Sequence, residues 1–229
     1  MLYKRTNVKT GLNMKKTKHW LFDFDGTLVG SMPYWSACMV GVLDNHGIPY
    51  GDDIVNIITP LGTNGTIEYF QKIGLALPFD EIKKEIFAGL VPLYRDVIPE
   101  KEGVRACLEK MREAGYKLHI LTASPHVYLD PCLERLGMYD LFDNVWSSDD
   151  FGTGKTDPGI YHSVAEKLGT TVSDITFLDD NINADKAAKL AGTQVIAVYD
   201  ETSRDDEGKM REICDGYVYD FSELEKIVV

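Results

Sequence analysis

Cysteine is scarce and poorly placed for pairing. Cys38, Cys107, Cys132 and Cys214 lie far apart and form no CxxC, which argues against disulfides or a zinc site and for a reduced, cytoplasmic protein. Long apolar runs are missing too: none approaches the roughly 18 residues of a membrane span, and no signal-peptide pattern is visible. Positive charge is in deficit, with 24 Lys and Arg against 36 Asp and Glu, a formal net charge of -12. Such a surface repels nucleic acid and anionic membrane, so neither is an expected partner. His19, His46, His119 and His162 show no ligand spacing, and internal repeats and low-complexity tracts are absent.

What is present is ordinary for a soluble enzyme: 229 residues, 44% hydrophobic and 26% charged, enough to bury a proper core. The opening MLYKRTNVKTGLN is basic and polar, and Met14 follows it. We read residues 1–17 as a flexible extension with Met14 as an alternative start. From Lys18 onward, short apolar strands alternate with helical patterns. The strands are expected at His19–Phe24, Lys117–Thr122, Asn144–Ser147, Ile175–Leu178 and Gln194–Val198. Helices expected over Glu102–Ala114 and Pro158–Leu168 carry apolar residues at i, i+3 or i+4 and i+7 or i+8, and stop at Gly115 and Gly169. This alternation predicts an α/β fold with a Rossmann-like parallel sheet flanked by helices.

One interval breaks the rhythm. Between Pro33 and Pro99 the patterns are helical only, over Tyr34–Asn45, Asp52–Ile58, Thr63–Ile73 and Asp80–Leu93. The expected division is therefore a core of residues 18–31 and 100–229, with a small helical cap over 32–99 inserted after the first strand. The insertion leaves from a strand's carboxyl end, where open α/β sheets place their ligands, so it is expected to act as a lid. The charged stretch Glu201–Arg211 reads as a solvated loop or helix face.

The chemistry-bearing residues sit at strand ends. In HWLFDFDGTLVGSM an apolar run closes on Asp23 and Asp25, two positions apart and so on one face of a strand, and Gly26 lets the chain turn. The second strand, KLHILT, ends in Thr122, where a hydroxyl and freed backbone N–H groups suit a phosphate oxygen; Thr at a strand end is also a common turn residue. Lys155 lies in the glycine-rich GTGKTDPGIY. The strand ITFLDDN closes on Asp179 and Asp180. A parallel sheet brings all these ends to one edge. Carboxylates gathered there repel one another unless a cation neutralises them, and an oxygen-only donor set favours a hard ion, Mg²⁺ above all.

The ordered set DFDGT, LTAS, GTGK and FLDDN resembles the haloacid dehalogenase-like superfamily, in its phosphatase branch with a helical cap (the phosphoglycolate phosphatase and β-phosphoglucomutase type). All four motifs occur in order, a far more specific signal than any one alone. The resemblance implies a Mg²⁺-dependent phosphatase that hydrolyses a small phosphate monoester through an aspartyl-phosphate. It makes Asp23 the nucleophile and Asp25 the general acid/base, and it gives the phosphoryl group to Thr122, Ala123 and Lys155. It places the metal on Asp23, Asp180 and the backbone carbonyl of Asp25, with Asp179 beside them. Two positions depart from the pattern: Gly30 and Ala184 stand where many relatives carry an acid, although Asp185 follows Ala184.

A phosphosugar mutase is the main rival, since it uses the same four motifs; a non-catalytic binding protein is a second. Specificity is expected in the cap, where Tyr34, Thr63 and Asn64 are candidate substrate contacts. Met32, Trp35 and His126 also lie close to the motifs. A capped fold closes its own site, so a monomer is expected, with a weak dimer as the alternative.

Overall fold

A computed structural model describes residues 15–228; the flexible extension and alternative start expected at the N-terminus fall, for residues 1–14, outside them. Among the described residues six strands form one parallel sheet in the order β3-β2-β1-β4-β5-β6. They are β1 (His19–Phe22), β2 (Lys117–Thr122), β3 (Asn144–Ser147), β4 (Ile175–Asp179), β5 (Gln194–Val198) and β6 (Gly216–Val218). The central strands β1, β2 and β4 are almost wholly buried because helices cover both faces.

Five helices separate β1 from β2, and the first four come in one run: α1 (Met32–Asn45), α2 (Ile54–Ile58), α3 (Gly62–Lys72) and α4 (Phe79–Asp96). Then follow α5 (Val104–Glu113), α6 (His126–Leu136) after β2, α7 (Gly159–Leu168) after β3 and α8 (Ile182–Ala191) after β4. The chain ends with α9 (Glu207–Ile213) before β6 and α10 (Phe221–Val228) after it. Side chains alternate along β1, which divides the core. Trp20 and Phe22 join a cluster with residues of α1, α4, α5, α6 and α10, including Met39, Leu90, Leu108, Leu129 and Leu224. Leu21 faces the other way into a cluster with α7 and α8, against Ile160, Val164, Ala184 and Ala188.

Three features of this frame position the site. β1 lies between β2 and β4, so the strand order reverses there and opens a crevice at the strands' carboxyl ends. β1 and β4 are in step, Phe22 opposite Leu178, and the ladder runs one residue further through Asp23 N–H to Leu178 O (2.8 Å). The acids that end the two runs are thereby delivered side by side. Finally, the four-helix segment leaves and returns through adjacent threads: Val29 bridges Glu100 antiparallel, Gly30 N–H donates to Pro99 O (3.0 Å) and Lys101 N–H to Leu28 O (2.9 Å).

Candidate active site

Asp23, Asp179 and Asp180 are all buried, and each offers a carboxylate oxygen within 4.8 Å of the others. Asp23 follows β1, Asp179 ends β4 and Asp180 begins the turn into α8. A buried ammonium meets them from the loop before α7. Lys155 Nζ lies 2.5 Å from Asp23 Oδ1 and 2.6 Å from Asp179 Oδ2. The other oxygen of Asp179 accepts from Asn181 N–H (2.8 Å). Asp180 Oδ1 accepts from the Thr27 hydroxyl (3.0 Å), and its carboxylate packs against the bare α-carbon of Gly26.

One ammonium cannot neutralise this set. Burial is the main force pushing the Asp23 carboxyl up to about 8, against the pull of Lys155 and with Asp179 and Asp25 adding to the rise. Asp180 is raised by burial and then by Asp179 and Asp23. Lys155 is held above the ordinary lysine range because the attraction of Asp179 and Asp23 outweighs its burial. Asp23 Oδ1 makes no well-directed hydrogen bond despite its closeness to Lys155. A hollow of hard oxygen donors that is short of positive charge fits a divalent cation such as Mg²⁺.

Asp25 stands apart from the cluster and only half-buried. Its Oδ1 accepts from the Tyr94 hydroxyl near the end of α4, and its Oδ2 from the Ser124 hydroxyl beyond β2. Tyr94 is packed between Phe24 and Tyr128, so its hydroxyl has little freedom. Two hydroxyl donors, one for each oxygen, set the carboxylate's orientation.

The motif residues take distinct places. Thr122 is buried, and its Oγ1 accepts from Ser124 N–H (3.0 Å); the hydroxyl therefore shapes the turn that carries exposed Ala123. The Tyr161 hydroxyl on α7 shares its one proton between the carbonyls of Lys155 (2.9 Å) and Ala184 (3.2 Å), tying the lysine's loop to α8. Asp185 is wholly buried; its Oδ2 accepts weakly from the Cys214 thiol (3.5 Å) and its Oδ1 is unpartnered. An acid is thus present behind the cluster one position after Ala184. Tyr34 packs half-buried against the main apolar cluster, and Thr63 (half-buried) and Asn64 (exposed) lie in the first turn of α3. The bonded neighbours of the acids come from elsewhere. His126 is clamped between Asp130 (2.8 Å) and Asp150 (3.0 Å).

Thr27, Tyr94, Lys101 and Ser124 contact the site but stand outside the set read from sequence. Ser124 lies within the quoted LTAS and Thr27 within DFDGT, so both are within reach of motif reading. Tyr94 sits 69 positions from its partner Asp25, in a stretch whose helical pattern marks it only as apolar packing.

A parallel sheet with an acid pair and a metal-ready carboxylate cluster at its switch point defines an α/β enzyme of the hydrolase kind. The chain belongs to the haloacid dehalogenase-like hydrolases, whose family model matches residues 17–192. It is 27% identical over 177 residues to the phosphorylated carbohydrates phosphatase of Thermotoga maritima, covering 77% of this chain and 82% of that one. Hexitol phosphatase B of Escherichia coli is 25% identical, with 78% and 82% covered. Among solved structures, CbbY from Rhodobacter sphaeroides in complex with phosphate superposes with a TM-score of 0.77 at 22% identity, covering 91% of this chain and 96% of that one; that likeness is one of fold.

Proposed function

We propose that this hydrolase is a Mg²⁺-dependent phosphatase acting on a small phosphate monoester through an aspartyl-phosphate on Asp23. The observation that carries the reading is the convergence of Asp23, Asp179 and Asp180 within 4.8 Å, with Lys155 Nζ 2.5 and 2.6 Å from two of them. Relatives named for phosphorylated carbohydrates and hexitols support a polyol or sugar phosphate as the first substrates to try.

The metal would be held by the carboxylates of Asp23 and Asp180 and the carbonyl of Asp25, with Asp179 behind them. When bound, it would supply positive charge that lets a carboxylate approach a phosphate dianion. Asp23 attacks phosphorus, forming one P–O bond as the ester P–O bond breaks, and Asp25 delivers a proton to the departing alkoxide. Asp25, now ionised, takes a proton from water as that water attacks phosphorus and frees Asp23. Lys155 stabilises charge on the transferring group from its fixed place beside Asp23 and Asp179. Thr122 and the backbone N–H of Ala123 would bind phosphoryl oxygens beside Lys155. The segment 32–99 acts as the cap that excludes bulk water and meets the leaving group, with Tyr34, Thr63 and Asn64 as its candidate substrate contacts.

The test is phosphate release from a chromogenic monoester and from a panel of sugar and polyol phosphates, with Mg²⁺ and with a chelator. Release that needs the metal and vanishes in Asp23→Asn supports the reading. Turnover by Asp23→Asn near the normal rate would sink it. Isomerised sugar phosphate without net phosphate release would instead mark a mutase.

A further inference from the structure

Lys101 lies in the return thread between α4 and α5, and neither the motifs nor the mechanism above give it a task. Its side chain is mostly buried and reaches back across the crevice. Nζ donates to the carbonyl of Gly26 (2.5 Å) and to the carbonyl of Tyr199 just beyond β5 (2.7 Å). Asp200 Oδ2 is the third and longest partner (3.3 Å). All three ammonium donors are thereby used. The two short bonds go to backbone and the ion pair is the loosest, so the geometry is that of a clamp on main chain more than of a salt bridge.

What the clamp holds matters. Gly26 has φ +76° and forms the turn between Asp25 and Thr27. Its α-carbon is the surface on which the Asp180 carboxylate rests, and a side chain there would strike that carboxylate. Thr27, the next residue, donates to Asp180 Oδ1. Lys101 also bonds through its own N–H to Leu28 O (2.9 Å). One residue thus fixes the turn from two sides and ties it to the end of β5.

We propose that Lys101 is a positioning residue of the metal site: by pinning the Gly26 carbonyl to the end of β5 it holds the turn that supports Asp180 and presents the Asp25 carbonyl. The inference rests on the metal reading of the Asp23–Asp179–Asp180 cluster. It makes a prediction of unusual sign. A nearby ammonium simply repels a cation, so if Lys101 acted only through charge, its removal would tighten metal binding. If it served only global stability, the folded variant would bind as the wild type does. A positioning role requires weaker binding, because lost support of a metal site typically costs ten- to a hundredfold in affinity.

The experiment is Mn²⁺ binding to the full chain without substrate, followed by electron paramagnetic resonance, for the wild type, Lys101→Met, Lys101→Gln and Lys101→Arg. Circular dichroism and thermal unfolding confirm which variants are folded. The expected result is about tenfold weaker Mn²⁺ binding by Lys101→Met, with Lys101→Arg closer to the wild type because it can still donate to the carbonyls. Should Lys101→Met not fold, Lys101→Gln carries the test, and the same weakening is expected. Binding by a folded Met or Gln variant that equals or exceeds the wild type overturns the proposal. Absence of Mn²⁺ binding by the wild type overturns the metal reading instead, and with it this inference.

Discussion

Single residues decide how well the carboxylates are aimed. Asp25 owes its orientation to two hydroxyls, and Tyr94 supplies one of them from the helix nearest the return thread. Tyr94→Phe keeps the packing against Phe24 and Tyr128 but frees one carboxylate oxygen. Misplacement of a reacting group by about 1 Å can cost about a hundredfold in rate, and Asp25 is the proposed proton donor. We expect kcat to fall on the order of tenfold to a hundredfold with KM nearly unchanged, as measured by steady-state phosphate release. Gly26→Ala attacks the site differently. It places a side chain at φ +76° and against the Asp180 carboxylate, so a loss of about 2 kcal/mol in stability from the backbone alone should accompany loss of activity. Chemical denaturation and the phosphate assay read the two effects separately. The acids and the lysine were legible in the sequence because strand ends and glycine turns mark them locally. Tyr94 and Lys101 were not, since their partners lie 69 and 75 positions away and no local pattern encodes such a contact.

Elements show the same division between local and distant causes. β2, β3 and β5 have the bounds their apolar runs predict, while β1 stops at Phe22, two residues short of the expected Phe24. The sheet pairing there gives way to the turn, with Leu28 and Val29 N–H both bonded to Phe24 O. β6 escaped the sequence pattern because it is three residues long and follows a charged stretch. That stretch, Glu201–Arg211, forms a 3₁₀ turn over Glu201–Asp206 and most of α9.

β1, β2 and β3 also share a polar feature far from the acids: His119 Nε2 meets His19 Nδ1 (3.1 Å) while Asn144 Nδ2 meets His119 Nδ1 (3.0 Å). With the Asn144 amide donating, the His119 ring must be neutral, its Nε2–H directed at His19. Burial, with His19 adding to the effect, pushes the His119 ring down to about 4. The native state therefore binds fewer protons than the unfolded chain between about pH 4 and the free-histidine value of about 6.5. Stability from this group is full above that window and is lost as pH falls through it, by up to about 3 kcal/mol. Because the raised carboxyls of Asp23 and Asp180 act in the opposite sense, the His119 share is read by difference. From pH 7 to 4.5 the wild type should lose stability relative to His119→Gln, and a difference that stays constant over that range would remove His119 as a contributor.

At the scale of the whole molecule, the charge of -12 opposes the arrival of any phosphate ester. With Mg²⁺ saturating, raising ionic strength from about 10 mM to about 150 mM shortens the screening length from roughly 30 Å to 8 Å. KM for a dianionic ester should fall over that range while kcat holds, because screening weakens the repulsive field without touching the buried cluster. A KM that rises with salt would mean that attraction by local cations dominates the approach. Family and sheet architecture were legible at this scale because four motifs recur in fixed order. The identity of the ester was not, since the segment between Met32 and Asp96 folds on apolar periodicity that is common to many helices.

The paired threads at Leu28–Gly30 and Pro99–Lys101 have a further consequence for how such a protein diversifies. Because the polypeptide departs and comes home through one doorway, everything between can lengthen, shrink or be replaced with almost no change in the distance the ends must span. With that segment as the proposed cap, new specificities can be grafted there while the strand-end site stays as it is. The graft has one condition. Any newcomer must still end in a helix that offers a hydroxyl to Asp25.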